Sequence, residues 1–136
     1  MNDADVLRAR VRERLGQQRV LVRSLLELRE QLQGSLFARY GECGKQGCAC
    51  RQGQKHGPYY VLSLRSAGKG TFAYLDPGQA REAKALVTRN RAFKSGLRRL
   101  KKLNGEIVVL LRRYQAAMSK QGGRRIGVSA HAQGNP

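Results

Sequence analysis

Apolar residues recur alternately four and three positions apart near the start of the chain. Leu7, Val11, Leu21, Leu25, Leu28 and Leu32 form one stripe, and Arg14 and Gln18 fill the two positions where the rhythm calls for an apolar side chain. This is a heptad seam, and it predicts one amphipathic helix over residues 4–33. Asn2 or Asp3 can cap it, Asp3 and Asp5 complement its positive N-terminus, and Gly34 stands where a C-terminal cap belongs. At about 1.5 Å per residue the helix is about 45 Å long, more than a small core can cover. It therefore needs a second long helix to pack against.

From residue 34 to residue 76 the pattern turns from helical to alternating. Ser35–Tyr40, Tyr59–Arg65 and Thr71–Leu75 read as three strands of an antiparallel sheet, the last two joined by the turn Ser66-Ala67-Gly68-Lys69-Gly70. On the middle strand Tyr60, Leu62 and Leu64 share one face, while Tyr59, Val61, Ser63 and Arg65 share the other. Both faces carry apolar area. One must pack on a helix and the other is free for a ligand, and alternation alone does not say which.

Asp76-Pro77 opens the last element, with Asp76 as cap and Pro77 in the first turn. The periodicity predicts a helix over 77–120, stopped by Gly122-Gly123 and followed by a disordered tail, 121–136. Two series repeat every seven residues: Asn90, Leu97, Asn104, Leu111 and Met118, and Leu86, Phe93, Leu100, Ile107 and Tyr114. Placing the first at a and the second at d puts two asparagines in the seam, a device that fixes register and oligomer state. The expected fold is α+β: a long N-terminal helix, a small three-stranded sheet with an inserted zinc loop, and a long C-terminal helix that closes a coiled-coil-like hairpin with the first. Val108 and Val109 widen the apolar stripe and point to a homodimer; the alternative is that the pattern only closes the monomer's own core.

Charge changes this picture. The chain carries 27 Lys+Arg against 9 Asp+Glu, a formal net charge of +18 in 136 residues. Residues 1–33 contribute +2, residues 34–76 +4, residues 77–120 +10 and the tail +2. Self-repulsion on this scale opposes compaction unless a polyanion shares the surface, which makes nucleic acid the first partner to consider. No apolar run is long enough to span a membrane. The acidic, helical start has no signal-peptide character, so the expected setting is the reducing cytoplasm, in association with the nucleoid if the ligand is DNA.

All three cysteines and one of the two histidines fall within residues 43–56, in the order Cys43-x4-Cys48-x-Cys50-x5-His56. Three thiolates and an imidazole are one tetrahedral site's complement of ligands, and they suit a closed, structural Zn²⁺. Gly44 and Gly47 let the chain curl within the first part of the loop, and Gly53 and Gly57 serve the return to His56. Lys45, Arg51 and Lys55 offset the negative charge that three thiolates leave on a bound metal. A disulfide framework favours an even cysteine number and a secreted context. A redox Cys-x-Cys gives Cys43 and His56 no task. A Cys3His iron–sulfur cluster is the remaining option.

The run Gly34-Ser35-Leu36, Arg39-Tyr40, Cys43-Gly44-Lys45, Cys48, Cys50, Gly53 and His56-Gly57-Pro58-Tyr59-Tyr60 resembles the core of an uncharacterised family of small bacterial and archaeal proteins. The likeness extends through Asn90-Arg91-Ala92-Phe93-Lys94 and Leu103-Asn104, covering about residues 34 to 118. The resemblance implies a metal site of this kind and, because such proteins are often encoded among mobile elements and transposase genes, a transposase or recombinase as partner. It carries no activity with it.

Three function classes follow. The first is a zinc-containing nucleic-acid-binding protein, DNA ahead of RNA, whose phosphate contacts are Lys45, Arg51, Lys55 and Arg65 with Arg91, Lys94, Arg98, Arg99, Lys101 and Lys102, and in which Tyr59 is a candidate for stacking on a base. The second is a coiled-coil adaptor whose zinc module docks on an acidic protein. A metal-dependent enzyme is the least supported: no second histidine lies near the cluster and nothing offers a general base beside an open metal position.

Overall fold

The protein is described by a computed structural model covering residues 2–66 and 68–128. The elements run α1 (Asp3–Glu27), β1 (Gly34–Gly41), β2 (His56–Ser66), β3 (Lys69–Leu75) and α2 (Pro77–Arg125), an α+β fold. No helix among the described residues is long and apolar enough to cross a membrane. The chain divides into two compact units, one comprising Met1–Glu27 and Gly96–Pro136, the other Leu28–Ser95.

The first unit is a pair of antiparallel helices. The cap of α1 is Asn2, whose Oδ1 accepts the Asp5 amide at 2.9 Å. The Ala4, Leu7, Val11, Arg14, Gln18, Leu21 and Leu25 stripe is the less exposed face of α1, as its heptad spacing requires. Residue numbers on α2 fall as those on α1 rise. Arg8 donates to the Tyr114 hydroxyl at 2.8 Å, Arg14 pairs with Glu106 at 3.0 Å, Gln18 donates to Asn104 Oδ1 at 2.6 Å, and Gly96 lies under Leu25. The two polar interruptions of the seam, Arg14 and Gln18, are thus each matched by a polar partner, which discriminates this register from its neighbours.

The seam of α2 is not the one the seven-residue series predicts. Leu100, Ile107 and Tyr114 do face inward, but their companions are Gly96, Leu103, Leu110 and Ala117. Leu97, Leu111 and Met118 are exposed, and Asn104 reaches its partner from the rim. The one-residue offset follows from Gly96: a side chain there would overlap Leu25, so the close approach of the helices turns this bare position inward and Leu97 outward.

The second unit is the sheet, in the order β1-β2-β3 and antiparallel throughout, with the start of α2. Leu36 pairs with Leu62 and Leu62 with Ala73, so these three make one row across the sheet. That face packs on α2: Leu62, Ala83 and Val87 form the core, joined by Leu32, Leu36, Leu64, Ala73 and Leu75. The buried face is therefore the one carrying Tyr60, Leu62 and Leu64. α2 begins as expected, with Asp76 Oδ1 accepting the Gln79 amide at 2.7 Å and Gln79 Oε1 accepting the Asp76 amide at 3.1 Å, a reciprocal cap.

Two helix ends differ from the sequence expectation. α1 stops at Glu27 instead of Gln33. Arg29 takes a left-handed conformation with φ 51°, and the chain from a bend at residue 30 to residue 33 is irregular and lies beside α2. There the Leu32 amide donates to the Leu86 carbonyl at 3.1 Å, and buried Asn90 donates to Gln31 Oε1 at 2.9 Å. Leu32 at its heptad spacing looks helical, but it serves the sheet core, and that packing outweighs propensity. α2 continues through Gly122 and Gly123 to Arg125. It ends in a Schellman motif, with Val128 N donating to Gly123 O at 2.8 Å, Gly127 N to Arg124 O at 3.1 Å, and Gly127 at φ 77°. The C-terminal signal is thus Gly127, and residues 121–125 of the expected tail are helical; residues 129–136 lie outside the described residues, as does Ala67 of the β2–β3 turn.

Candidate metal centre

The metal-type cluster sits where the β1–β2 pairing opens. The ladder ends on the pair Gly41 and His56, after a register shift at Arg39–Gly41, and the chain between them forms the loop. Cys43 comes two residues after the end of β1. Cys48 precedes a short 3-10 turn, Ala49–Gln52, in which Cys50 is buried, and His56 is the first residue of β2. The return to β2 depends on Gly57, whose φ of 140° is in the region that favours glycine; a Cβ would come within 2.8 Å of Arg39 O and of the Tyr40 ring. The bare backbone there lets β2 enter the ladder immediately after His56.

The ligand atoms of Cys43, Cys48, Cys50 and His56 all lie within 4.8 Å of one another. Cys48 Sγ is 3.1 Å from His56 Nε2, and Cys43 Sγ is 3.5 Å from Cys50 Sγ. A tetrahedral ion with bonds of ~2.3 Å to sulfur and ~2.0 Å to nitrogen sets ligand separations of about 3.5 Å, so the four residues can hold a metal ion. The Cys43 amide donates to Cys50 Sγ at 3.3 Å, a bond that favours a thiolate on that sulfur.

The thiols are electrostatically unequal. Cys48 is lowered from 9.0 to about 6, first by the Cys50 amide and then by hydrogen bonds from the Cys43, Cys50 and His56 side chains. For Cys50 the strongest influence is the Cys43 amide, which lowers it, but burial and the neighbouring Cys43 and Cys48 side chains outweigh that and leave it raised. A thiolate at Cys48 near neutral pH is the form that ligates metal.

Of the basic residues singled out above, all ten are exposed, and none takes part in the ion pairs found among the described residues. Lys45, Arg51 and Lys55 lie in the metal loop. Arg65 stands apart from them at the far end of β2, nine positions from His56, about 30 Å at ~3.3 Å per residue. Arg91, Lys94, Arg98, Lys101 and Lys102 recur at helical spacing along α2, with Arg99 to one side of that stripe. The face of the sheet turned away from the core carries Tyr59 and also Phe37, Phe72 and Tyr74. The last three were not singled out from the sequence, although strict alternation through β1 and β3 marks them.

The fold and the cluster together define a helix–sheet–helix protein with a Cys3His metal-type site in its first hairpin. The chain belongs to the family described as Domain of unknown function (DUF6788), whose model matches residues 9–85, from within α1 through the whole sheet into α2. Searches of curated proteins and of solved structures find no match to it.

Proposed function

We propose that the protein is a small nucleic-acid-binding protein, with DNA ahead of RNA as ligand, in which a structural zinc ion held by Cys43, Cys48, Cys50 and His56 pins the β1–β2 loop. The observation that carries this reading is the run of exposed, unneutralised cations along α2 and in the metal loop, within a net charge of +18. A protein interior or an acidic-rich surface would neutralise such a stripe with Glu or Asp at helical spacing. Phosphates supply that neutralisation from outside and release counterions as they do so. With four protein ligands the zinc has no open position, so its contribution is to fix the loop that carries Lys45, Arg51 and Lys55.

The reading includes a cytoplasmic, nucleoid-associated setting and an accessory role to a transposase or recombinase. It also includes a homodimer, supported by Val108 and Val109, which are about half exposed on α2 outside the hairpin seam. The test is a salt titration of nuclease-treated protein against labelled DNA and RNA. The logarithm of affinity should fall with the logarithm of salt at a slope of ~0.9 per neutralised duplex phosphate. Reversing Arg98, Arg99, Lys101 and Lys102 to Glu should remove most of that slope with the helical content intact. Salt-insensitive or absent binding by the wild type would overturn the reading and favour an adaptor that docks on an acidic protein.

A further inference from the structure

The sheet face opposite the core has a composition that phosphate binding alone does not explain. Its positions, read from the register, are Ser35, Phe37 and Arg39 on β1, Tyr59, Val61, Ser63 and Arg65 on β2, and Gly70, Phe72 and Tyr74 on β3. Phe37 and Tyr74 flank Val61 in one row, Phe72 stands beside Ser63 in the next, and Tyr59 pairs with Arg39 in the row nearest the metal loop. The aromatic residues are 39% (Phe37), 47% (Tyr59), 68% (Phe72) and 70% (Tyr74) exposed, whereas Val61 between them is 1% exposed. The rings are wet and the one aliphatic residue on the face is sheltered.

Exposed aromatic residues gathered on one face mark a binding surface. Its occupant follows from what lies between the rings. The face contains no acidic residue; its other side chains are the small hydroxyls Ser35 and Ser63 and the guanidinium groups Arg39 and Arg65. Aromatic faces beside unpaired cations suit a ligand that carries flat π-systems and regularly spaced negative charge. In a duplex the base faces are stacked on one another, so only an unpaired strand offers them. Successive rows of the sheet lie ~6.7 Å apart along the strands, a spacing that gives room for one base per row.

We propose that the Phe37, Tyr59, Phe72 and Tyr74 face of the sheet is a stacking platform for the bases of single-stranded nucleic acid, whose phosphates are taken by Arg39 and Arg65 of the same face. The proposal rests on the nucleic-acid reading above and sharpens it to an unpaired strand. Sheets that stack two or three bases on their aromatic residues are an established way of holding single strands.

The experiment measures fluorescence anisotropy of a labelled 12-nucleotide single strand, and of the same sequence as duplex, against the full-length protein. The wild type is compared with Phe72→Ala, Tyr74→Ala, Phe72→Leu and Tyr74→Phe, each checked by thermal melting and by sedimentation without oligonucleotide. Both positions are largely exposed, so the fold should survive. The single strand should bind more tightly than the duplex. Each Ala variant and Phe72→Leu should weaken it about tenfold while leaving duplex binding unchanged, and Tyr74→Phe should restore it. Variants that all bind the single strand like the wild type, with a steep salt dependence retained, would overturn the platform but not the nucleic-acid reading. Absence of binding to either form at low salt would overturn both. A wild-type dimer dissociated by Phe72→Ala would assign the face to a second copy of this chain and overturn the proposal.

Discussion

Cys48 and His56 stand eight positions apart in sequence and 3.1 Å apart at Sγ and Nε2, one at the entry of a 3-10 turn and the other at the first residue of a strand. That contact ties the middle of the metal loop to the sheet ladder. The energy of filling such a site is folding energy, on the order of 10 kcal/mol for structural zinc. Cys48→Ser or His56→Ala should therefore lower the metal content from about one ion per chain towards zero and cost the second unit its cooperative melting, with the helical signal of the first unit retained. Metal analysis and circular dichroism on the same sample check this.

The unequal thiols have a readable consequence in metal-free protein. A thiol held at about 6, against 9.0 unperturbed, is a thiolate at neutral pH. Alkylation followed by mass spectrometry should find Cys48 modified first at pH 7, its rate falling as pH drops through 6, and buried Cys50 last. The sign of the linkage is fixed: with the folded value below the unfolded one, the stabilisation is complete above about 9, declines as pH falls, and is gone below about 6. Added zinc should protect all three cysteines.

Gly96 sets how close the two helices come. Any side chain there overlaps Leu25, so Gly96→Leu should destabilise the helix pair by about 1–3 kcal/mol or more, seen as a lowered denaturation midpoint. Pairing it with Leu25→Ala should recover part of the loss. Equal destabilisation of the single and double variants would show that the helices do not meet at this point.

Gly57 should prove sensitive for a different reason. Its backbone is in the region that favours glycine and its Cα faces the β1 backbone, so Gly57→Ala should cost about 1–3 kcal/mol and weaken metal retention through His56. Gly44→Ala, at a position with open space around it, should leave both unchanged.

The parts of the fold that were legible in the sequence are those whose cause is local. Cys43, Cys48, Cys50 and His56 announced a cluster because all four fall within residues 43–56, and Asp76 with Pro77 announced a helix start because the cap and the first-turn proline are adjacent. The α1 seam was legible because its four-and-three spacing repeats every two turns. What was not legible depends on partners distant in sequence. Leu28 to Gln33 leave the helix because Leu32 is needed in the sheet core, a demand set by Ala83 and Val87 some fifty residues on. The phase of α2 turned on Gly96, since a residue with no side chain leaves no mark in a hydrophobic pattern. The exposed sheet face depended on which side α2 covers, and alternation on the strands is the same either way.

The loop between Gly41 and His56 also bears on how the hairpin forms. A two-residue turn specifies strand register through its own geometry, but residues 42–55 are long enough for that information to be lost. Closing a loop of this length in place of a tight turn costs about 2 kcal/mol more in chain entropy. A clasp within the loop, drawing Cys43 to Cys50 and Cys48 to His56, replaces the missing turn with a chemical one. β1 is an edge strand held only by β2, so without the clasp it is the strand free to slip, and a slip by one residue would exchange Leu36 for Phe37 on the core side. An ion held there would act as a register key, deciding which face of β1 is inside.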